Sequence, residues 1–531
     1  MTDLAATRPA PGTAPARSST DIVRARLAKR YRTERMFKWL GAAAVGIAAL
    51  FLAILLGTIV SQALPALRAN YAVLDLDLSP ARVDPAKAAA ANFDDIVNDA
   101  LGEAFPSVTE RRERRTLRGL ISSGASTIVK RDALDGDLTL GGRLPVPILL
   151  DDEADLYLKG LTARGRERQT LPGLVAVSGA GDEVTLTFAD NTIQAAADSV
   201  GARPDASGMR ELGIRQGSVF VETRGGVVKL AQVGPGNTAK GEVMLPFSSA
   251  DAPAPATLRT VAQPESTRKI SDASIVYLDA LESQGRIESR FNTQFLFGTA
   301  SREPEVAGVW GAVVGSFLTL TVTLALAFPL GVAAAIYLEE FAPKNRLTYL
   351  IEVNINNLAA VPSIVFGLLG LAVFLNFFGM PRSAPVVGGV VLSLMTLPII
   401  IIASRAALRA VPPSIREGAY GVGASKTQAV FHHVLPLAMP GIMTGTILGM
   451  AHALGETAPL LMIGMVAFIV DVPGGFTDPA TILPVQIFMW ADFPEAAFAQ
   501  KTSAAILVLL VFLVLMNALA VLLRKRFERR W

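Results

Sequence analysis

The stretch WLGAAAVGIAALFLAILLGTIV, residues 39–60, contains no charged residue. A helix needs about 20 apolar residues to cross about 30 Å of hydrocarbon, and this run is long enough. The apolar core of a signal peptide is shorter, roughly 7–15 residues. Arg24, Arg26, Lys29, Arg30, Arg32, Arg35 and Lys38 lie just ahead of it. Outward from this run, five more apolar segments follow, at about 310–338, 357–378, 385–404, 440–470 and 503–523. Each is free of Asp, Glu, Lys and Arg except 440–470, which contains Glu456. The pattern predicts an α-helical polytopic membrane protein with six transmembrane helices.

The bulk numbers agree. Of 531 residues, 51% are hydrophobic, and the mean hydropathy is +0.42. Soluble domains are about 45–50% apolar even with Gly counted. A formal net charge of +3 with no basic domain argues against a nucleic-acid partner. There is no cysteine, so disulfides, Cys-ligated zinc, iron–sulfur clusters and thiol catalysis are excluded.

Basic flanks orient the spans. The N-terminal flank and the tail RKRFERRW are both basic, and six spans place both on one side. The 405–426 segment, with Arg405, Arg409, Arg416 and Lys426, falls on that side too. The 471–500 loop falls on the other, with Asp471, Asp478, Asp492 and Glu495. Four regions follow: a basic, disordered cytoplasmic tail (1–38), a first transmembrane helix (39–61), a large α+β extracytoplasmic domain (62–307) inserted between helices 1 and 2, and a five-helix membrane domain (308–531).

Within 62–307, Phe93, Ile96, Val97, Ala100, Leu101, Ala104 and Phe105 recur at helical spacing. Ser107-x-x-Glu110 reads as a capping box opening a second helix over the cluster RRERR (111–115). Segments 175–188 and 218–233 read as hairpins with Gly-rich turns. Residues 248–267 read as a linker, and a helix from about Ser271 is expected to lead back to the membrane at Trp310.

Several chemistries have no residues to carry them. There is no Gly-x-x-x-x-Gly-Lys-Ser/Thr phosphate loop; GVGASKT (421–427) lacks the Gly-Lys pair. There is no His-Glu-x-x-His motif. His432 and His433 are adjacent, so on a helix they do not share a face, which argues against a chelating pair. No catalytic residue, metal or cofactor is expected.

The segment EGAYGVGASKTQAVFHHVLP, Glu417–Pro436, lies between two spans. Pro412-Pro413 breaks the preceding span, and Ser414 can cap a short helix with Glu417 at its third position. Glycine costs about 1 kcal/mol relative to alanine in a helix, so Gly421 and Gly423 suggest that something approaches closely. These residues alone leave an ordinary loop and a docking surface equally open. Pro436 and Pro440 are expected to mark the entry into the next span.

Glu417-x-Ala419-x-x-x-Gly423, followed by Leu435-Pro436, resembles the EAA loop of ABC-importer permeases. PGIMTGTILGMAHALGETAPL (440–460) and AVPSIVFGLLG (360–370) are similar to the permeases of phosphate importers, most of all the PstA type. The resemblance covers about 310–531; Gly418 stands where that loop usually has a second alanine, and some phosphate permeases carry an N-terminal extension of unassigned role. It implies that Glu417, Gly418, Ala419, Gly423, Ala424, Leu435 and Pro436 dock a cytoplasmic ATP-binding subunit. It also implies a second permease subunit, a periplasmic phosphate-binding protein, and a place in lipid in the bacterial inner membrane with both termini cytoplasmic.

Glu456, in GETAP, is expected deep in the fifth span, where a charge costs about 2.5–3.5 kcal/mol and needs a partner or a wet path. His452, four residues earlier, shares its face. Interhelical packing through a hydrogen bond is the other role open to Glu456. His452, Glu456, Thr457 and Arg405 are the expected translocation-path residues. Members of the family often have arginine at the position of His452, and Arg405 also fits a snorkelling residue of the basic flank. The alternatives are a permease for sulfate or molybdate, a proton-coupled secondary transporter using Glu456, and a membrane sensor.

Overall fold

The computed structural model describes residues 19–163, 166–171, 174–178, 183–223, 226–246, 256–466 and 468–527. The expected tail at 1–18, both hairpin turns (179–182 and 224–225), the start of the expected linker (248–255) and residues 528–531 lie outside the described residues.

Helix α1 runs without a break from Ser19 to Ala63. The basic stretch at 22–38 is therefore helical and not an unstructured tail.

The chain then forms an α+β body. Its strands are β1 (Arg68–Asp77), β2 (Arg143–Leu149), β3 (Arg166–Thr170), β4 (Leu174–Ser178), β5 (Glu183–Phe188), β6 (Arg210–Glu211), β7 (Ser218–Thr223), β8 (Gly226–Val233), β9 (Thr238–Leu245), β10 (Thr257–Val261) and β11 (Ile287–Phe291). Its helices are α2 (Phe93–Ala104), α3 (Arg111–Arg118), α4 (Ala125–Asp135), α5 (Asp152–Leu158), α6 (Thr192–Ser199), α7 (Asp272–Ser283) and α8 (Thr293–Phe297). One sheet has the order β11-β1-β2, the other β3-β10-β7-β8-β9-β5-β4 with β6 beside β8, and every pairing is antiparallel. In β1, Ala72, Leu74 and Leu76 alternate onto the buried face, the period a half-buried strand requires. They pack with Phe93, Ile96, Val97, Ala100 and Leu101 of α2.

Helix α7 joins the two sheets. Ser271 caps it through the Ser274 N–H at 3.1 Å. Its Asp279 accepts from Tyr157 Oη at 2.8 Å and pairs with the buried Arg259 of β10, which also pairs with Glu222 of β7. Asp272 pairs with Arg268 and, at 2.6 Å, with Lys229 of β8. Removing one partner of such a pair would leave an uncompensated buried charge.

Several expectations for this body change. Residues 257–261 of the expected linker are β10, held between β3 and β7. Helix α3 begins at Arg111 with Glu110 as its N-cap and no side-chain cap bond, so Ser107 opens nothing. Helix α7 ends at Ser283, and β11 and α8 intervene before Trp310.

The remaining helices are α9 (Trp310–Ile336), α10 (Arg346–Ala359), α11 (Ser363–Leu369), α12 (Pro385–Arg409), α13 (Pro413–Gly421), α14 (Lys426–Ala429), α15 (Leu435–Gly455), α16 (Ala458–Met462), α17 (Leu483–Ala491) and α18 (Ala496–Phe527). Turns of π-helix extend α9 (Tyr337–Phe341) and α11 (Gly370–Phe377) and join α14 to α15 (Val430–Val434). Among the described residues, five helices are long and apolar enough to cross a membrane, or six if a bent pair counts as one span. That pair is α10 with α11 and its π turns, bent by 103°. The expected straight span at 357–378 is therefore replaced by a sharp corner at Ala360–Pro362. Pro362 cannot continue the helix and disfavours helical backbone in the residue before it.

The expected span at 440–470 changes at both ends. Its helical path starts at Lys426, so Pro436 and Pro440 lie inside it and do not mark its entry. It stops at Gly455, because Glu456 takes an extended backbone (φ −80°, ψ 126°). Neighbouring helices and local π turns make such proline sites tolerable in a membrane helix.

Helix α12 is the centre of this bundle, packing on both α9 and α15. Small residues set the approach. A Cβ added at Gly389 would lie 2.4 Å from Val322 Cβ, and one at Gly445 would lie 2.2 Å from Ala403 Cβ. Membrane helices pack closely through such small residues.

Gly445→Leu is therefore expected to destabilise the α12–α15 contact by about 1–3 kcal/mol or more. Gly418→Ala, in a helical position with open space around it, should be neutral or stabilising by up to about 1 kcal/mol. Melting temperatures of the two purified variants in detergent check this, and equal melting would contradict it.

Candidate functional site

The segment between α12 and α15 is built from three short pieces. Pro412 is the N-cap of α13, and Ser414 lies inside that helix, so the expected Ser414 cap does not form. Helix α13 closes at Gly423, whose φ of +88° is open to glycine and strained for most other residues. Ser425 then caps α14 in a two-way box with Gln428 (2.9 and 3.3 Å). The path continues through the π turn into α15.

One face of this segment is buried and the other is exposed. Ala419, Ala429, Val430 and Val434 face inward. Glu417, Gly418, Tyr420, Gly423, Phe431, His432 and His433 are exposed, and Val422 is 85% exposed. Of the other expected docking residues, Ala424, Leu435 and Pro436 are half-buried. An exposed row of Ile415, Tyr420, Val422 and Phe431 is an apolar surface of the kind that marks an interaction site.

The inner face is held by an arginine–carboxylate network that the sequence reading missed. Glu340, in the π turn after α9, pairs with Arg416 of α13 at 2.5 Å. Arg416 also donates to the carbonyls of Val411 (2.8 Å) and Leu408 (3.0 Å), closing the end of α12. Glu339 pairs with Arg409 (2.8 Å) and Arg405 (3.5 Å), and Arg405 reaches Glu352 of α10 at 2.6 Å. Lys426 lies over the Phe341 ring at 5.4 Å. Four elements thus converge on one charge cluster. The signal was present in sequence: Arg405 and Arg409 are four apart on one helical face, and Glu339-Glu340 ends an otherwise apolar run.

The expected path residues divide. His452 Nε2 lies 3.4 Å from Glu456 Oε1, with the histidine half-exposed and the glutamate mostly covered. Glu456 caps the end of α15, and Thr457 caps the start of α16. The carboxylate therefore sits at a helix break and not in the middle of a span. Arg405 is not with them. Gly445 meets Ala403 across α12, and His452 lies seven residues further along α15, about 10 Å of rise. Arg405 is buried in the carboxylate cluster instead and does not snorkel.

A family model described as the binding-protein-dependent transport system inner membrane component matches residues 327–531. The phosphate transport system permease protein PstA 1 of Mycobacterium tuberculosis is 32% identical over 228 residues, 43% of this chain and 74% of that one. The chain belongs to the binding-protein-dependent transport permeases. PstA of Yersinia pestis is 32% identical over 42% of this chain and 76% of its own length. PstC of Haemophilus influenzae is 31% identical over 42% and 78%. Residues 24–167 match a domain of unknown function, DUF3333, an extension ahead of the permease body. This permease is a multi-pass inner-membrane transport subunit of an ABC importer and not an enzyme.

Glu340 is almost covered, so removing Arg416 leaves it without an ion-pair partner among the described residues. Breaking such a pair costs about 3–5 kcal/mol, whereas replacing both partners with apolar groups is often neutral. Arg416→Met should lower the melting temperature and binding-protein-stimulated ATP hydrolysis of the assembled transporter. Adding Glu340→Leu should restore the melting temperature but not the hydrolysis. Recovery of both would show the network to be a stabilising element only.

Proposed function

We propose that this chain is the membrane permease of an ATP-driven importer of inorganic phosphate. The observation that carries this reading is the likeness to phosphate permeases of both PstA and PstC types, together with the family match at 327–531, which holds the α13–α14 segment and the His452–Glu456 pair. A separate ATP-binding subunit grips the exposed face at 414–436. A second permease subunit completes the path, and a phosphate-binding protein delivers the anion.

The orientation rests on the positive-inside pattern. Arg405, Arg409, Arg416 and Lys426 cluster at the α13 end, and the α17 end carries Asp471, Asp478, Asp492 and Glu495. That rule counts Lys and Arg regardless of nearby acids, so the carboxylates of the network do not weaken it. The α13 end and both termini are then cytoplasmic, and the 62–307 body is extracytoplasmic.

Among the described residues the carboxylate of Glu456 has an ion-pair contact with His452, and the pair offers an anion positive charge only when the histidine is protonated. In this reading Glu456 orients His452 at the break between α15 and α16. The break is also where backbone polar groups are freed from helix bonds, which membranes tolerate only beside protein or water.

Two outcomes test this. In proteoliposomes holding the full transporter, ATP-dependent uptake of phosphate should exceed that of sulfate or molybdate at least about tenfold, a difference of about 1.4 kcal/mol. Preference for sulfate would move the chain to another oxyanion, and uptake driven by a proton gradient without the ATPase would sink the reading. Glu456→Gln should cut phosphate uptake several-fold without raising basal hydrolysis. Glu417→Lys and Gly423→Trp should leave hydrolysis running while uptake falls.

A further inference from the structure

Where the α+β body meets the permease spans, the seam buries polar groups. Ser122 Oγ donates to Glu305 Oε1 at 2.5 Å. Glu305 is 7% exposed, and its other carboxyl oxygen is buried without a hydrogen-bond partner among the described residues. From the other side of the seam, Lys501 of α18 is 4% exposed and donates to the carbonyls of Ala307 (2.6 Å) and Glu305 (3.3 Å). Its ammonium also lies over the Phe295 ring at 5.8 Å. The last span is thus pinned to the segment just before α9, and that segment is bonded to the α+β body through Ser122.

Helix α5 closes the seam from the other side, packing on α18. A cavity just large enough for one or two waters lies between them, lined by Asp152, Asp155, Lys159, Glu305 and Lys501. The charges facing the seam are uneven. Asp155 and Lys159 pair at 2.5 Å, and Glu153 and Lys269 at 3.6 Å, so these offset one another. Asp151 and Asp152 from α5, Glu303 and Glu305 from the loop before α9, and Glu495 from the loop before α18 remain, with Lys501 as the facing cation. Lys501 has no carboxylate within ion-pair distance among the described residues, since its donors go to carbonyls. A buried carboxyl with one oxygen unpartnered, which shares its small cavity with Asp152, the chain neighbour of Asp151, is best satisfied by a proton.

We propose that this seam is a proton-operated latch: with a proton held among Asp151, Asp152 and Glu305 it clamps the α+β body to the last span, and with all three ionised it loosens.

The titration of these groups runs in the direction the latch requires. Burial, reinforced by the charges of Asp152 and Glu305, pushes Asp151 up to about 7. Burial also raises Glu305 and Asp152. A carboxyl whose pKa is higher in the closed seam than in the open one binds its proton in the closed state. The three carboxyls therefore favour closure at low pH and lose that contribution as pH rises from the ordinary carboxylate range to about 7. The body then acts as a pH-dependent restraint on α18, whichever solute crosses the membrane.

The chain has no cysteine, so spin labels can be placed at Asp137→Cys and Asp492→Cys, both exposed and outside the cluster. The assembled transporter in lipid nanodiscs should show one short distance population at pH 5. A longer population should grow by pH 7.5, shifting the ratio at least about tenfold. Asp151→Asn with Glu305→Gln, which keeps both groups neutral, should hold the short population at every pH. Lys501→Met should show the longer population even at pH 5. A wild-type distribution unchanged from pH 5 to 8 overturns the latch by itself, and so does a double variant that titrates like the wild type. The readout needs no transport, so it is separate from the test of the phosphate reading.

Discussion

Everything at the α13 end of this permease hangs on carboxylates that are largely withdrawn from solvent. Glu340 is nearly covered and Glu339 largely so, and each is matched by arginines from α12 or α13. Taking such charges out of water is expensive, and the attraction offsets that only with good geometry and further hydrogen bonds. Arg416 meets that demand by bonding Glu340 and two carbonyls at the end of α12 together. The consequence is mechanical. A short helix held at several points by directional bonds moves with its supports, and a loop held by apolar contact alone would yield. On the proposed reading, this is how a push on α13 reaches α9, α10 and α12 as a rigid-body displacement.

The same logic explains why the bundle is packed on glycine. Helix α12 carries the arginines, and it can sit between α9 and α15 only if the neighbouring backbones come close. With lipid on the outside, no hydrophobic effect drives helices together, so close van der Waals fit must do it. Gly389 and Gly445 supply that fit on opposite sides of one helix. The two ends of the permease are then connected through α12 and α15, from the Arg405 cluster to the break at Glu456.

The parts that were legible in sequence are those governed by local composition. Five of the apolar runs form long helices because an uncharged run of that length has few other solutions. The 218–233 alternation forms the β7–β8 pair, and the α2 periodicity buries the residues it named. What failed was decided by distant partners. Residues 257–261 look like linker because Pro and Ala surround them, yet β3 and β7 take them as a central strand. Ser107 and Ser414 are good caps by type, but the helix starts were set elsewhere by packing. Proline in 357–378 gave a warning of the corner at Pro362, but hydropathy alone does not register a bend of 103°. In the candidate site, the short helix after Pro412-Pro413 and the shared face of His452 and Glu456 were readable from short-range spacing. The partners of Arg405 were not, because Glu339 and Glu352 lie more than fifty residues away in the chain.

The seam and the carboxylate network place opposite demands on the same kind of side chain. At the α13 end each carboxylate of the network has its arginine, so every acid there meets an opposite charge. At the seam, acids outnumber the cation that faces them, and that cation spends its donors on backbone carbonyls. A cluster built that way cannot hold all its charges at once, so its stability must follow proton supply. Helix α9 begins beside the seam and ends in the arginine network, spanning about 40 Å over its 27 residues. An effect that loosens one end of α9 and α18 therefore acts on the elements that the other end holds rigid. This gives the added α+β body a physical route to the transport cycle through the seam.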